Sequence, residues 1–238
     1  MRRLLFVFMV GLCSLGSEAQ KTVNDANAEK RTVGSFHGIE VSTGIELTLS
    51  QGNSEDVAVS APNAELKAKL ITKVENGILK IYFEHRDMVF KKEENHRGLK
   101  AYVSYKTIDR LDANTGATVE IVGNLSSTSL KMKVNTGAIV KGKVEVNDLD
   151  IDQNTGSIMT LTGRATKFTV EGSTGSMFHG DDLETESCSA HTNTGGGIYI
   201  TVQKELEAKA NTGGYVKYKG NGTVREAKVN SGGFVSRI

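Results

Sequence analysis

Seven times between residues 114 and 232 the chain returns to one tripeptide or a close variant of it. The copies are Asn114-Thr115-Gly116, Asn135-Thr136-Gly137, Asn154-Thr155-Gly156, Ser173-Thr174-Gly175, Asn193-Thr194-Gly195, Asn211-Thr212-Gly213 and Asn230-Ser231-Gly232, at steps of 21, 19, 19, 20, 18 and 19 residues. So constant a period is that of one coil of a solenoid, in which each turn pairs with the turns above and below. An isolated hairpin turn carries no such period. At about 4.8 Å per rung, seven rungs make a rod of about 30 Å.

The columns of the repeat test this, because a parallel solenoid must stack like on like in its interior. Five residues after each Asn or Ser stand Val119, Val140, Met159, Phe178, Ile198, Val216 and Val235; three before stand Leu111, Met132, Ile151, Val170, Ala190, Ala208 and Ala227. Leu130, Leu149, Phe168, Cys188 and Leu206, a further two residues back, share that interior face, since i and i+2 point to one side of a strand. Three after the Asn or Ser the side chain is always small, from Ala117 to Gly233, as a tight corner requires. The glycine is expected to supply a φ > 0 bend, and stacked Asn side chains to hydrogen-bond backbone groups from rung to rung. The expected fold is all-β, a parallel β-helix with rungs of about 19 residues over 106–238.

The region 33–105 is less regular. Ser42-Thr43-Gly44 repeats the tripeptide, with Ile39 and Leu47 in the inward positions, so the coil is expected to begin there. Strands are expected near Ile45–Ser50, Val57–Ser60, Ile78–Phe83 and Leu99–Tyr105, and a short capping helix over Pro62–Leu70. Glu84–Gly98 is charge-dense and reads as a mobile loop, and residues 20–32, polar and without periodicity, as a disordered leader.

Residues 1–19 read as a signal peptide: Arg2 and Arg3, an apolar stretch from Leu4 to Val10, then Ser17-Glu18-Ala19 as a small-x-small cleavage pattern. Cys13 follows Leu12, where lipid attachment needs a small residue, so cleavage after Ala19 is expected instead. No later segment approaches the roughly 20 apolar residues of a membrane span. Removing the signal takes away two basic and one acidic side chain and leaves the two signs balanced, which argues against nucleic acid as a partner. Cys188 then has no second cysteine to pair with.

The opening Val33-Gly34-Ser35-Phe36-His37-Gly38-Ile39-Glu40-Val41, then Gly44-Ile45-Glu46-Leu47, Ile78-Leu79-Lys80-Ile81 and the later Asn-Thr-Gly coils resemble the head GIN domain family of auto-transporter adhesins over roughly residues 33–238. The resemblance implies a right-handed parallel β-helix, export to the envelope of a Bacteroidetes-type bacterium and an adhesive role, with no catalytic residues to carry over. The chain ends at Ile238 within a rung, so a C-terminal membrane barrel is not expected in it.

Parallel β-helices also carry pectin lyases and polygalacturonases, so a polysaccharide-degrading enzyme is the rival reading; hydrolysis would need two or three carboxylates facing one cleft. Asp148, Asp150 and Asp152 alternate with Leu149 and Ile151 and are weak candidates for such a cluster or a Ca²⁺ site, against a plain solvated strand face. His179, Asp181, Asp182 and His191 lack compact zinc-ligand spacing, and Cys188 lies in an interior column. No Gly-x-Ser-x-Gly elbow or phosphate loop is present, no cofactor is expected, and the chain is not expected to be an enzyme.

One column is out of pattern. The fourth residue after each Asn or Ser should face out, yet the column reads Thr118, Ile139, Ile158, Met177, Gly197, Tyr215 and Phe234. Exposed, it is a binding stripe for a glycan or an envelope protein, with Tyr199 and Tyr218 as further aromatic groups. It would be hidden if residues 33–105 folded over it or if the corner turned both columns inward. The open rung at Phe234–Ile238 offers unpaired edges and hence a route to a homodimer.

Overall fold

The tripeptides decide where the chain bends. In all seven copies the middle Thr or Ser has φ of 47–52° and the following Gly φ of 66–78°. The residue after the Gly donates its N–H to the Asn or Ser carbonyl at 2.9–3.3 Å. Two consecutive left-handed residues closed by that bond make a type I′ turn. The bend is therefore not the glycine's alone. A β-branched residue shares it, at a cost of roughly 1–2 kcal/mol per turn. The stack holds it there: the Gly N–H of each turn donates to the Thr or Ser carbonyl of the next turn at 2.9–3.1 Å. The asparagine side chains contribute less than expected. Asn135 Nδ2 reaches Asn114 Oδ1 at 3.3 Å and Asn230 Nδ2 reaches Asn211 Oδ1 at 3.0 Å, whereas Asn154 and Asn193 accept the N–H of their own turns at 2.8 and 2.9 Å.

The structure, a computed structural model, describes residues 25–84 and 98–238. The first elements are β1 (Glu29–Arg31), β2 (Gly38–Val41), β3 (Glu46–Gln51), β4 (Asp56–Ser60), α1 (Ala64–Lys69), β5 (Leu70–Glu75), β6 (Ile78–Phe83), β7 (Lys100–Tyr105) and β8 (Arg110–Ala113). The regular coils follow as β9 (Thr118–Val134), β10 (Ile139–Gln153), β11 (Ile158–Gly172), β12 (Met177–Thr192) and β13 (Gly197–Ala210), and the last as β14 (Tyr215–Lys219), β15 (Thr223–Val229) and β16 (Phe234–Arg237). Together they form a β-solenoid of about seven turns with rungs of about 19 residues.

Neighbouring coils pair in parallel at the repeat's own offset: Val140 faces Met159, Leu149 faces Phe168 and Ile151 faces Val170. The interior columns are closed to solvent; Val140, Met159, Ile151, Val170 and Ile198 are all 0 % exposed. Between two of these columns Phe168 and Phe178 make a tilted aromatic contact, ring centroids 5.2 Å apart with planes at 45°. Between Val146 and Leu149 the alternation breaks, Asn147 and Asp148 both being exposed, and the coil turns a second corner.

At the N-terminal end, spatial order departs from chain order. The β2–β3 rung lies between β6–β7 on one side and β8–β9 on the other. The chain thus starts in the second layer, builds the outermost one with β6 and β7, and returns beneath its own start. Most of the loop expected over 84–98, and the signal peptide expected over 1–19, lie outside the described residues.

Antiparallel additions close this end: β5 on β6, β4 on β7, and β1 on β4. The helix α1 sits where expected, capped by Asn63 Oδ1, which accepts from Leu66 N–H at 2.8 Å, and it buries Leu66. Glu29–Arg31, read from sequence as part of a disordered leader, are instead strand β1. Partners from distant sequence hold this segment: Arg31 donates to Lys67 O at 3.1 Å, and Tyr102 Oη to Asp25 at 2.8 Å. The opposite end has no such cover among the described residues. Val229 and Ile238 are 51 % and 59 % exposed, and Ala227, though in an interior column, is exposed.

A candidate binding face

Each rung leaves its type I′ turn as a short flat stretch in which the fifth residue points inward and the fourth and sixth point out. Register stacks the outward residues into two columns. One runs Thr118, Ile139, Ile158, Met177, Gly197, Tyr215, Phe234, and its neighbour runs Glu120, Lys141, Thr160, His179, Tyr199, Lys217, Ser236. Among the described residues, neither the segment 33–105 nor the corner hides these columns. Residues 38–51 and 98–105 extend the columns as further layers, Glu46 and Lys100 beyond Thr118, and do not lie across them. Ile158 is 41 % and Phe234 44 % exposed, and Ile139, Met177, Tyr199 and Tyr215 are half-buried.

The aromatic members meet. Tyr215 and Phe234 stack at 5.3 Å with planes 10° apart, Tyr199 meets Tyr215 edge-on at 5.8 Å, and His179 stacks on Tyr199 at 5.4 Å. Tyr215 leans across Gly197 to bring its hydroxyl 3.4 Å from Met177 Sδ, two rungs away. Desolvation in this position, and then the neighbouring Tyr199, pushes the Tyr215 phenol up to about 12. The Lys217 ammonium lies 5.3 Å from the Tyr199 ring centroid and 5.6 Å from that of Tyr215, a cation–π arrangement.

Of the six residues singled out for binding, Met177, Tyr199, Tyr215 and Phe234 converge on this patch, and Ile139 and Ile158 continue it along the rod. Tyr218 does not belong to it. It pairs with Ile200 in an inward column and packs against the core. Lys217 and Gly197 belong to the face without standing out in the apolar column, and His179 belongs to it instead of to a cluster with Asp181, Asp182 and His191. The signal for Lys217 and His179 was the sixth-residue column, which carries Lys141, His179, Tyr199 and Lys217.

The acidic candidates are dispersed. Asp150 is held by Lys131 at 2.7 Å, and Asp148 lies 3.9 Å from Lys167. Asp152 sits in register between Lys133 and Glu171. His191 lies 4.0 Å from Glu171 and Asp182 4.0 Å from Lys219, while His179 faces Tyr199, so these residues form no common centre. Among the described residues no group of three or more His, Cys, Asp or Glu is placed to hold a metal ion. Cys188 is buried in its interior column, and burial pushes its thiol up, away from the reactive thiolate.

Residues 35–222 match the family model described as "Putative auto-transporter adhesin, head GIN domain". The chain belongs to that family. Solved structures share the GIN fold at low identity. A putative adhesin of Bacteroides fragilis is 17 % identical, with a TM-score of 0.78 over 89 % of this chain and 96 % of that one. One from Parabacteroides merdae is also 17 % identical, with a TM-score of 0.68 over 89 % and 95 %. A putative lipid binding protein of Parabacteroides distasonis is 16 % identical, with a TM-score of 0.65 over 90 % and 98 %. A comparison with curated proteins finds no match.

Two shallow concavities lie at the capped end of this GIN domain. One, of about 370 Å³, is lined by Asp25, Ser60, Pro62, Lys100 and Tyr102 among others; the second, of about 310 Å³, by Glu40, Lys73, Lys80 and Tyr82 among others. Each presents a single carboxylate, not the facing pair on which glycoside hydrolysis depends. No described helix is long and apolar enough to cross a membrane.

Proposed function

We propose that this GIN domain is an exported, non-catalytic adhesion module that holds a glycan against its outward aromatic face, working in the periplasm or at the cell surface. One observation carries the reading: Met177, His179, Tyr199, Tyr215 and Phe234 form a contiguous exposed or half-exposed group, built from four successive rungs and left uncovered by the rest of the described chain. Aromatic rings on a rigid sheet present apolar area to the C–H faces of sugars with little side-chain entropy to lose. The family description, which names an adhesin, supports the same class of function.

A glycan-array screen of the purified protein, with mass spectrometry of every retained sugar, tests the proposal. Retention without cleavage, weakened by Tyr215→Ala, supports it. Cleavage products would replace it with a polysaccharide-degrading enzyme, and an array without hits would move the search to envelope proteins. We further propose that the uncovered edges of β15 and β16 pair with those of a second copy. A dimer by light scattering at high concentration supports that assembly; a monomer rules it out.

A further inference from the structure

We infer that the ligand of this face is an acidic polysaccharide, a polymer of uronate sugars lying along the rod axis. The inference rests on the glycan-binding reading above and adds the charge and direction of the ligand.

Charge supplies the first part of the argument. From Ile139 to Ser236 the two outward columns contain no carboxylate, yet they contain Lys141, His179 and Lys217. Lys143 continues the cationic margin beside Lys141. Acidic groups enter at the borders, as Glu120 in the first rung, as Glu145 beyond Lys143, and as Asp181 and Asp182 beyond His179, with Asp182 4.0 Å from Lys219. The face before the turn is different. There the lysines and arginines are interleaved with acids, as in Lys131–Asp150, Lys167–Asp148, Arg225–Glu205 and Lys209–Glu226. On the one face that carries the exposed rings, cations thus stand without acidic neighbours in the same columns. Among the described residues Lys141, Lys143 and Lys217 make no ion pair, and Lys217 is held instead over the Tyr199 and Tyr215 rings. A cation poised between two rings suits a sugar that stacks its apolar face and turns a carboxylate toward the ammonium.

Geometry supplies the second part. Rungs repeat at about 4.8 Å, close to the length of one residue in an extended polysaccharide. The columns therefore offer equivalent positions to successive sugars of a chain laid along the axis. A neutral glycan would take from Lys141 and Lys217 only hydrogen bonds to its hydroxyls, without the charge pairing that a uronate adds.

Calorimetric titration of the purified protein with polygalacturonate oligomers, with xylan oligomers of the same length and with phosphatidylglycerol vesicles tests this. The uronate is expected to bind about tenfold or more tighter than xylan, with the preference shrinking as salt rises. Lys217→Gln is expected to remove most of the preference while leaving xylan binding unchanged, and Tyr215→Ala to weaken both sugars. Equal affinity for the two sugars, or no effect of Lys217→Gln, overturns the acidic ligand and leaves the glycan face standing. Failure of both sugars to bind overturns both readings, and vesicles binding tighter than either sugar put a lipid surface in the sugar's place. Unchanged circular dichroism and melting temperature in both variants tie these outcomes to the face and not to folding.

Discussion

Tyr215 occupies the space that a side chain at position 197 would fill: a Cβ on Gly197 would stand 2.5 Å from both Cζ and Oη of Tyr215 and 2.7 Å from Met177 Sδ. The missing side chain in one rung is what lets the ring of the next rung lie across it and join Met177, Tyr199 and Phe234 into one patch.

Gly197→Ala is therefore expected to push the Tyr215 ring off the surface. The clashing atoms are the far end of a movable side chain, so stability should change by less than about 1 kcal/mol. Glycan binding should fall about as far as in Tyr215→Ala. Urea unfolding and calorimetry on the same sample separate the two effects; a large loss of stability with binding intact would refute this role for Gly197.

The left-handed threonines carry strain that a better turn residue would relieve. Thr136 has φ 52° at an exposed corner, and its carbonyl, not its side chain, receives the Gly116 N–H. Thr136→Asn should raise stability by about 1 kcal/mol, because Asn tolerates the αL region at lower cost. Urea denaturation would show this as a higher midpoint with an unchanged slope.

Phe178→Ala is expected to cost about 3–5 kcal/mol, since the ring is 1 % exposed and its cavity would be walled by the neighbouring rungs. Phe168 touches it at 5.2 Å, so a double-mutant cycle on the pair should return a coupling of about 0.5–1.5 kcal/mol. Strictly additive losses would show that this tilted pair is held by buried area alone.

Acid should loosen the capped end first. Hydrogen bonds from Lys73 and then Lys80 lower the Glu75 carboxyl to about 2, and Ser54 lowers Asp56, a residue of β4 in the same cap. A carboxyl with a depressed folded pKa stabilises the fold above its unfolded value and loses that contribution as pH falls through its folded one. The window here runs from about pH 4.5 down to about 2. Hydrogen exchange across that range should show β5 and β6 losing protection before β10 and β11, and Glu75→Gln should flatten the dependence.

The sequence by itself determined the solenoid, its period and its interior, because a parallel stack places chemically like residues on one another. The columns from Leu111 to Ala208 and from Val119 to Val216 are therefore readable without coordinates. It also determined that an apolar column, Ile139 to Phe234, stands where polar residues belong. Whether that column was open or covered was decided only by tertiary structure, since the answer depends on where residues 33–105 pack. Those described stack as further layers or close the end, with β2–β3 inserted between β6–β7 and β8–β9, an order that no local pattern encodes. The same holds for β1: Glu29–Arg31 have no periodicity of their own and become a strand because β4 offers an unpaired edge. Tyr218 and Tyr215 look alike in a list of exposed-type aromatics, but the parity of the strand sends one into the core and the other outward. The Tyr215 patch itself depends on Gly197, one rung away in space and 18 residues away in sequence, a distance across which only the register of the solenoid connects them.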